Sequence, residues 1–354
     1  MHSEYKESAI CAVLPPHMVE KLTRSEDPII AKRARHTLEH DARHRTRRHI
    51  TSRLEAAVPE GFRYQGPQRT VCDARHHEVL PGEKVWGEGD APTEDATVNR
   101  AYAGLGATFD FYLNTYGRHS LDNRGLPLDA VVHYGQSYGN AFWDGERMIF
   151  GDGDNSLFLD FTIPVDIIGH ELTHGVVQHA ANLEYYGQSG AINESIADVF
   201  GSLVKQYVLR QTSDEADWLI GAGLLGPKVE HGQALRSLKD PGTAYDDNVL
   251  GRDPQPTSMN DYVHTSRDNG GVHINSGIPN HAFYLLAIAL GGYSWEKAGR
   301  IWYETLVSGA LSPDAQIIDF ARLSAASARK LYGDGKEVHA VLQAWDRVDV
   351  TWPA

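Results

Sequence analysis

Residues 170–174 read His170-Glu171-Leu172-Thr173-His174 and lie within an apolar-periodic run from Ile163 to Val177. The periodicity predicts a helix with Thr162 as its N-cap. Two histidines four residues apart lie on one face of a helix, so both imidazoles can reach the same metal ion. Glu171 falls beside such an ion, where its carboxylate can take a proton from bound water. The pentapeptide therefore predicts a metal-dependent hydrolytic centre.

A second motif supplies the remaining groups of such a centre. Residues 190–198 read Gly-Ala-Ile-Asn-Glu-Ser-Ile-Ala-Asp and begin 16 residues after His174. A catalytic zinc has three protein ligands and one open position, and Glu194 is a suitable third ligand. Asp198 lies one helical turn beyond Glu194, where it can accept the other ring N–H of a ligating histidine. Two imidazoles and one carboxylate suit Zn²⁺ better than Ca²⁺ or Mg²⁺.

These two motifs together resemble the thermolysin-like family of zinc metallopeptidases. The resemblance extends to residues 140–143 (Asn-Ala-Phe-Trp), 234–237 (Ala-Leu-Arg-Ser) and 268–277 (Asp-Asn-Gly-Gly-Val-His-Ile-Asn-Ser-Gly), and it covers roughly Thr70 to the C-terminus. It implies an α+β, two-lobed zincin fold with the active-site helix between the lobes. We expect a sheet-rich N-terminal lobe over residues 51–185 and a helical C-terminal lobe over residues 186–354.

The resemblance implies a neutral zinc endopeptidase that hydrolyses peptides or proteins with metal-activated water. His170, His174 and Glu194 correspond to the ligands of one catalytic zinc, and Glu171 corresponds to the general base. His273 and Tyr185 match the groups that stabilise the reacting carbonyl oxygen, and Asp268 matches the carboxylate that orients the histidine. The implied substrate-binding residues are Asn140, Ala141 and Arg236 for the substrate backbone, with Ile167 and Leu235 for a bulky apolar residue on the primed side.

The calcium ligands are the main departure from the family. Asp166 and Asp217 match two carboxylates of the double calcium site found in some members. Gln233 stands where another calcium-binding aspartate is expected. Three further positions hold residues that cannot ligate calcium: Lys205, Leu219 and Ala222. We therefore expect only a weak dependence on calcium.

The N-terminal segment differs from the rest of the chain in charge. Residues 1–50 contain 10 Lys and Arg against 7 Asp and Glu, a balance of +3, whereas the remainder contains 23 against 40, a balance of −17. A basic arm on an acidic body is typical of a nucleic-acid or membrane tail, but it also suits an intramolecular partner. Because of the metal motif we favour the intramolecular partner and expect no nucleic-acid partner.

Residues 15–18, Pro-Pro-His-Met, followed by a basic helix resemble the compact propeptide of the protealysin branch of the family. The resemblance implies that residues 1–50 are an inhibitory propeptide, with a boundary between residues 45 and 69. An extended segment around Pro15 and Pro16 would add a strand at the Asn140 edge of the cleft, and the rigid pair would be cleaved poorly.

Cys11 offers a second means of inhibition. A thiolate is a good zinc ligand and could fill the open position on the metal. The alternative is a small apolar residue packed against the body, and we favour this alternative.

Composition limits the class of protein. The chain has 354 residues, of which 41% are hydrophobic and 23% charged, and it contains no apolar run long enough to span a membrane. Its first 20 residues lack the apolar region of a Sec signal peptide, so we expect a cytoplasmic protein or export by a non-classical route. The two cysteines, Cys11 and Cys72, are too few for a disulfide framework. We expect a monomer.

Local patterns predict further elements. Residues 140–150 form a hairpin pattern in which Asp144-Gly145 supplies a two-residue turn. A helix is predicted from Pro313 to Tyr332, with Ser312 as its N-cap.

The sequence is also compatible with two rival functions. The same scaffold could carry a narrow-specificity exopeptidase or another zinc amide hydrolase. It could also be a host-surface binding protein with a vestigial zinc site, although intact Glu171 and His273 argue against this.

Overall fold

The computed structural model describes the backbone of residues 11–51 and 66–352, and the side chains of residues 12–41 and 66–352. The predicted α+β architecture is confirmed: a sheet-rich N-terminal lobe and a helical C-terminal lobe lie on either side of the active-site helix. Within these ranges, no helix is both long enough and apolar enough to cross a membrane.

A six-stranded mixed sheet forms the N-terminal lobe. Its strands in spatial order are β1 (Cys11–Ala12), β5 (Ala141–Trp143), β6 (Met148–Phe150), β4 (Leu128–Val132), β2 (Arg69–Asp73) and β3 (Glu83–Gly87). The pairs β2–β4 and β4–β6 are parallel, and the others are antiparallel. Helix α3 (Ala96–Tyr116) packs against β2 and β4, and the Asp95 carboxylate caps it by accepting two backbone N–H groups.

The N-terminal segment contributes β1 and two helices, α1 (Pro16–Leu22) and α2 (Pro28–Thr51). Pro15 is the N-cap of α1 and Pro16 is its first residue, a position that suits the fixed φ of proline. The Pro-Pro pair therefore turns the chain out of the sheet. The segment that lies along the sheet edge is residues 11–14, just before the pair, and not the pair itself.

Two long helices, α4 (Val165–Ala180) and α5 (Gly187–Leu209), pack together at the centre of the molecule. Pro164, not Thr162, is the N-cap of α4, because the Thr162 hydroxyl instead donates to Asp160. Gly201 of α5 faces α4 so closely that a Cβ there would lie 2.5 Å from the Asp166 carbonyl oxygen and 3.0 Å from the His170 nitrogen. This glycine therefore sets the spacing of the two helices.

The remainder of the C-terminal lobe is mainly helical. Its helices are α6 (Asp268–Asn275), α7 (Gly277–Leu290), α8 (Ala298–Val307), α9 (Ile317–Tyr332) and α10 (Lys336–Asp346), with a 3₁₀ turn at Met259–Asp261. Two short antiparallel ribbons pair β7 (Leu219–Ile220) with β8 (Arg236–Ser237), and β9 (Asp246–Asp247) with β10 (Gly251–Arg252).

Two local predictions were wrong. Helix α9 begins four residues later than predicted, because Gln316 and Asp319 form a reciprocal capping box there, so Ser312 is not its N-cap. The β5–β6 hairpin has a four-residue loop, residues 144–147, because the Asp144 side chain accepts the backbone N–H groups of Glu146 and Arg147.

The Gly201→Ala variant tests the close contact between α4 and α5. We expect it to destabilise the protein by about 1–3 kcal/mol, because the added methyl group meets backbone atoms that cannot move aside. A thermal unfolding scan with a zinc assay should show a lower midpoint and less bound metal. Gly66→Ala is the matched control, since a Cβ there meets nothing within 4 Å. Equal midpoints for the two variants would contradict this account.

Candidate active site

His170 and His174 of α4 face Glu194 of α5 across the contact between these helices. Their Nε2 atoms lie 3.1 Å apart. Glu194 carboxylate oxygens lie 3.6 Å from His170 Nε2 and 3.4 Å from His174 Nε2. All three side chains are buried. The predicted ligand atoms thus form one compact cluster.

This cluster fits a zinc ion. Three tetrahedral ligands with metal bonds of about 2.0–2.1 Å stand about 3.3 Å apart, close to the separations seen here. Glu194 Oε2 is buried and makes no hydrogen bond to any residue that the structure describes, a costly arrangement unless a cation binds it. Burial lowers the pKa of His170 to about 3 in spite of the neighbouring Asp198 charge, so its imidazole is neutral, as a metal ligand must be.

Two polar side chains of α5 hold the histidines. Asp198 lies 2.8 Å from His170 Nδ1, as the sequence predicts. Asn193 accepts a hydrogen bond of 2.9 Å from His174 Nδ1. Both contacts leave the Nε2 atoms directed at Glu194, and they fix the tautomer of each ring.

Asp198 also binds Arg236 of β8. The guanidinium donates from Nε and Nη2 to the two carboxylate oxygens, each at 2.8 Å, and Asn280 donates to the same carboxylate at 2.9 Å. Burial alone raises the pKa of Asp198, but Arg236 and His170 outweigh it and hold the pKa far below its ordinary value. The carboxylate is therefore charged, and Arg236 keeps a fixed position.

Glu171 stands beside the ligand cluster. Its Oε2 accepts a hydrogen bond of 3.0 Å from the backbone N–H of Trp143 in β5, and its side chain is fully buried. The carboxylate is thus tied to the sheet edge and does not belong to the metal-binding group of three. This is the position that the motif predicts for a base.

His273, Tyr185 and Asp268 meet beside Glu194 of the cluster. Asp268 lies 2.6 Å from His273 Nδ1, and Tyr185 donates to Glu194 and lies 3.3 Å from His273 Nε2. Burial alone lowers the pKa of His273, but the charges of Glu194 and Asp268 outweigh it and raise the pKa to about 9. The ring therefore carries a proton on Nε2 that it can donate.

The start of α6 makes this arrangement possible. Asn269, Gly270 and Gly271 all have positive φ, so the chain turns sharply between Asp268 and His273. The turn brings the Asp268 carboxylate to the His273 ring and also to its backbone N–H, at 2.9 Å.

The N-terminal segment lies in the cleft next to these groups. β1 pairs antiparallel with β5, and the Val13 N–H donates to the Ala141 carbonyl at 3.1 Å. The Leu14 N–H donates to the Asn140 side chain at 3.0 Å. Two carbonyls of the segment meet charged side chains: Arg236 donates to Val13 at 2.9 Å, and His273 Nε2 lies 3.1 Å from the Ala12 oxygen.

Comparisons with known proteins agree with this geometry. Residues 34–178 match the family model for the thermolysin metallopeptidase catalytic domain, and residues 181–350 match the model for its α-helical domain. An extracellular metalloprotease of Pectobacterium carotovorum subsp. carotovorum is 48% identical over 345 residues, which cover 98% of each chain. The chain belongs to the thermolysin metallopeptidase family.

Two further relatives place the chain within this family. The solved structure of the protealysin precursor from Serratia proteamaculans superposes with a TM-score of 0.88 at 48% identity, covering 96% of this chain and all of that one. A thermolysin of Alicyclobacillus acidocaldarius subsp. acidocaldarius is 39% identical over 289 residues, 78% of this chain and 50% of its own length. The resemblance to the thermolysin-like family and its protealysin branch is confirmed, and the protein is a zinc metalloendopeptidase.

The predicted apolar pocket residues of this metallopeptidase come together. Ile167 of α4 and Leu235, next to β8, are both buried. A Cβ on Gly221 would lie 3.0 Å from Leu235 and 3.6 Å from Ile167, so the two side chains approach the same point. Leu235 directly precedes Arg236, whose guanidinium donates to the Val13 carbonyl.

Lys205 fills the space between the two carboxylates that match family calcium ligands. Its ammonium lies 2.7 Å from Asp166, 2.9 Å from Asp217 and 2.6 Å from the Leu219 carbonyl oxygen. Burial alone lowers the pKa of Lys205, but Asp166 and Asp217 outweigh it and raise the pKa. The other noncanonical positions, Ala222 and Gln233, add no charged oxygen ligand.

Some contacts at the site were not predicted from sequence. The sequence motifs contain Asn193 and Trp143 but give them no role, and Asn280 carries no motif signal. Asp41 of α2 accepts hydrogen bonds from Tyr138 at 2.5 Å and from Asn140 at 3.1 Å. The Cys11 side chain lies outside the described residues, so its predicted role stays a prediction.

Proposed function

We propose that this zinc metalloendopeptidase is made as a latent precursor in which residues 1 to about 50 occupy its own substrate cleft. One observation carries this proposal: residues 12–14 make backbone hydrogen bonds to Asn140, Ala141, Arg236 and His273, which are the residues expected to bind a substrate. The segment adds a strand to the exposed edge of β5, a common mode of peptide recognition.

The same contacts suggest how a substrate binds. The Ala12 carbonyl lies at His273, and the next carbonyl, that of Val13, is held by Arg236. A substrate in this register would present the carbonyl of its scissile bond to His273 and the carbonyl of its first primed residue to Arg236. Val13 is fully buried here. We infer a preference for a bulky apolar residue at that position, next to Ile167 and Leu235.

Each residue of the site has a distinct part in hydrolysis. When bound, zinc activates a water molecule and polarises the scissile carbonyl. Glu171, held by the Trp143 N–H, takes the proton of the attacking water and delivers it to the leaving amine. His273 and Tyr185 donate hydrogen bonds to the carbonyl oxygen as it gains negative charge, and Asp268 holds His273 in place.

The segment is held in the cleft chiefly by apolar packing. Val13, Leu14, Met18, Val19, Leu22 and Ile30 are all buried in the main core. In the ion pairs between the segment and the body, either part can supply the positive charge. Arg33 of the segment binds Asp154 at 3.1 Å, whereas Lys228 of the body binds Asp27 of the segment at 3.2 Å. Among the described side chains, a general attraction between a basic arm and an acidic body therefore contributes little to holding the segment in the cleft.

We also propose that the protein needs no calcium at the position of Lys205. The ammonium already supplies positive charge to Asp166 and Asp217, so a divalent cation there would face repulsion as well as too few ligands.

The Glu171→Gln variant tests the proposed base. It should keep its zinc, because Glu171 is not a ligand, and lose at least about 100-fold in turnover of a peptide blocked at both ends. Metal content and cleavage rate are measured on the same sample. Near-normal turnover would refute the role of Glu171, and cleavage only of peptides with a free terminus would favour an exopeptidase.

Removal of calcium should leave thermal stability unchanged. EGTA, at a concentration that spares zinc, should not move the unfolding midpoint, because Lys205 neutralises the carboxylates. The Lys205→Met variant shows that the assay is sensitive: it leaves Asp166 buried without its cation and should lower the midpoint by several degrees. A drop of several degrees on adding EGTA to the unaltered protein would mean that a calcium site remains.

The latency of the precursor is tested by two matched variants. Val13→Asp places a charge at a buried position and should release the segment, raising the initial cleavage rate of the intact chain at least about tenfold. Ile29→Asp makes the same change at a position that is 60% exposed and should stay latent. If a chain lacking residues 1–50 folds and cleaves no faster than the intact one, the inhibitory role is wrong.

The Cys11→Ser variant separates the two proposals for Cys11. Unchanged latency means that the thiol does not ligate the metal, whereas a large rise in activity with retained segment binding means that it does.

A further inference from the structure

Two histidines of α2 and one glutamate of the body meet at the interface between them. His36 and His40 are four residues apart, so they lie on one face of α2 with ring centroids separated by 4.4 Å. Glu78 comes from the loop between β2 and β3. Its Oε1 lies 3.1 Å from His36 Nε2 and 2.7 Å from His40 Nε2.

We propose that His36, His40 and Glu78 form a second zinc site that joins the N-terminal segment to the body. The site has two imidazole nitrogens and a carboxylate oxygen, all within 4.8 Å of one another. This donor set suits Zn²⁺, and the two histidines have the i, i+4 spacing that also places His170 and His174 on one ion.

The surroundings of His40 suit a metal ligand. Its ring is almost fully buried, and its Nδ1 lies 3.4 Å from the hydroxyl of Tyr134, which is itself buried. When Nε2 binds a metal, Nδ1 carries the proton and can donate it to the Tyr134 oxygen. Such an outer hydrogen bond fixes the ring orientation of a ligating histidine.

The other two ligands, His36 and Glu78, lie at the surface, where an ion and water can reach the site. The side chains of His36 and Glu78 are 42% and 39% exposed. An ion can therefore enter from solvent, and small rotations of these two side chains can widen the present separations to those that a bound ion requires. Water completes the coordination.

Contacts next to His40 link the site to the substrate cleft. The adjacent residue, Asp41, is bonded to Tyr138 and to the side chain of Asn140. Asn140 in turn accepts the Leu14 N–H in the cleft. A zinc ion that holds α2 on the body therefore supports residues 12–14 in the cleft, through Asp41 and Asn140.

The ligands are divided between two parts of the chain. Two belong to α2 and one to the body, so the site exists only while α2 is docked. An ion present at 100 times its dissociation constant would raise the docking equilibrium constant about 100-fold. The role of this ion in latency rests on the proposed function of residues 1–50, whereas its binding does not.

Zinc stoichiometry of the intact chain tests the site. Glu171→Gln serves as the background for all samples, because it prevents self-cleavage. After dialysis against buffered Zn²⁺, we expect two zinc ions per chain in this background, and one when His36→Ala or Glu78→Gln is added. Glu78→Gln preserves side-chain shape, so it remains informative if His36→Ala folds poorly. His77→Ala, an exposed neighbouring histidine, is the control and should keep two.

A second measurement reports on the docking of α2. Amide hydrogen exchange of residues 28–51 should slow at least about tenfold when zinc is raised from one to two equivalents, and only if His36 and Glu78 are intact.

One zinc per chain in the background protein would overturn the site. A second ion that is still bound in both His36→Ala and Glu78→Gln would also overturn it. The same holds if the second ion is lost only in His76→Ala, since it would then belong to the cluster of His76, His133 and Asp152. If the chain binds two zinc ions but Val13→Asp does not raise the cleavage rate, the proposed inhibition is refuted and the zinc site still stands.

Discussion

One buried carboxylate, that of Asp198, connects the metal ligands to the residues that hold peptide backbone. It binds His170 on one side, and Arg236 and Asn280 on the other, with no exposure to solvent. Arg236 is also buried, and a buried guanidinium without an anion would cost several kcal/mol. The charge of Asp198 therefore makes two things possible at once: a neutral, oriented histidine and a charged arginine that can reach a carbonyl group.

The close packing of α4 and α5 brings this carboxylate to its partners. His170, His174 and Asp166 lie on α4, whereas Glu194, Asp198 and Lys205 lie on α5. Gly201 allows the two backbones to approach, so the polar residues along the contact pair with one another. At one point the pairing forms the zinc-binding cluster, and one to two helical turns along the same contact it forms the Lys205 ion pairs. Two cationic centres, one suited to zinc and one an ammonium, thus lie along a single helix pair.

The N-terminal segment uses the sheet and the core of the body as its docking surface. β1 extends the sheet at the β5 edge, which would otherwise expose unpaired backbone groups. The Val13 and Leu14 N–H groups bond to the Ala141 carbonyl and the Asn140 side chain at this edge, and the apolar side chains of the segment fill the adjoining core. Because the same edge serves substrates in our proposal, inhibition and substrate binding draw on the same hydrogen bonds.

The amino-acid sequence by itself indicated the metal-ligand cluster, because the i, i+4 spacing of His170 and His174 has a definite geometry within one helix, and its resemblance to the thermolysin-like family implied the α+β class. It also indicated Asp198, from helical periodicity, and Lys205, from its match to a position where the family has a calcium ligand. Tertiary structure alone decided which residues meet across elements: Asn280 at Asp198, the Trp143 N–H at Glu171, and Glu78 between His36 and His40. No local pattern encodes these contacts, because each depends on how distant segments pack. The start of α9 at Gln316 and the end of the β1 strand before Pro15 were likewise decided by side-chain caps and by proline geometry in the folded chain.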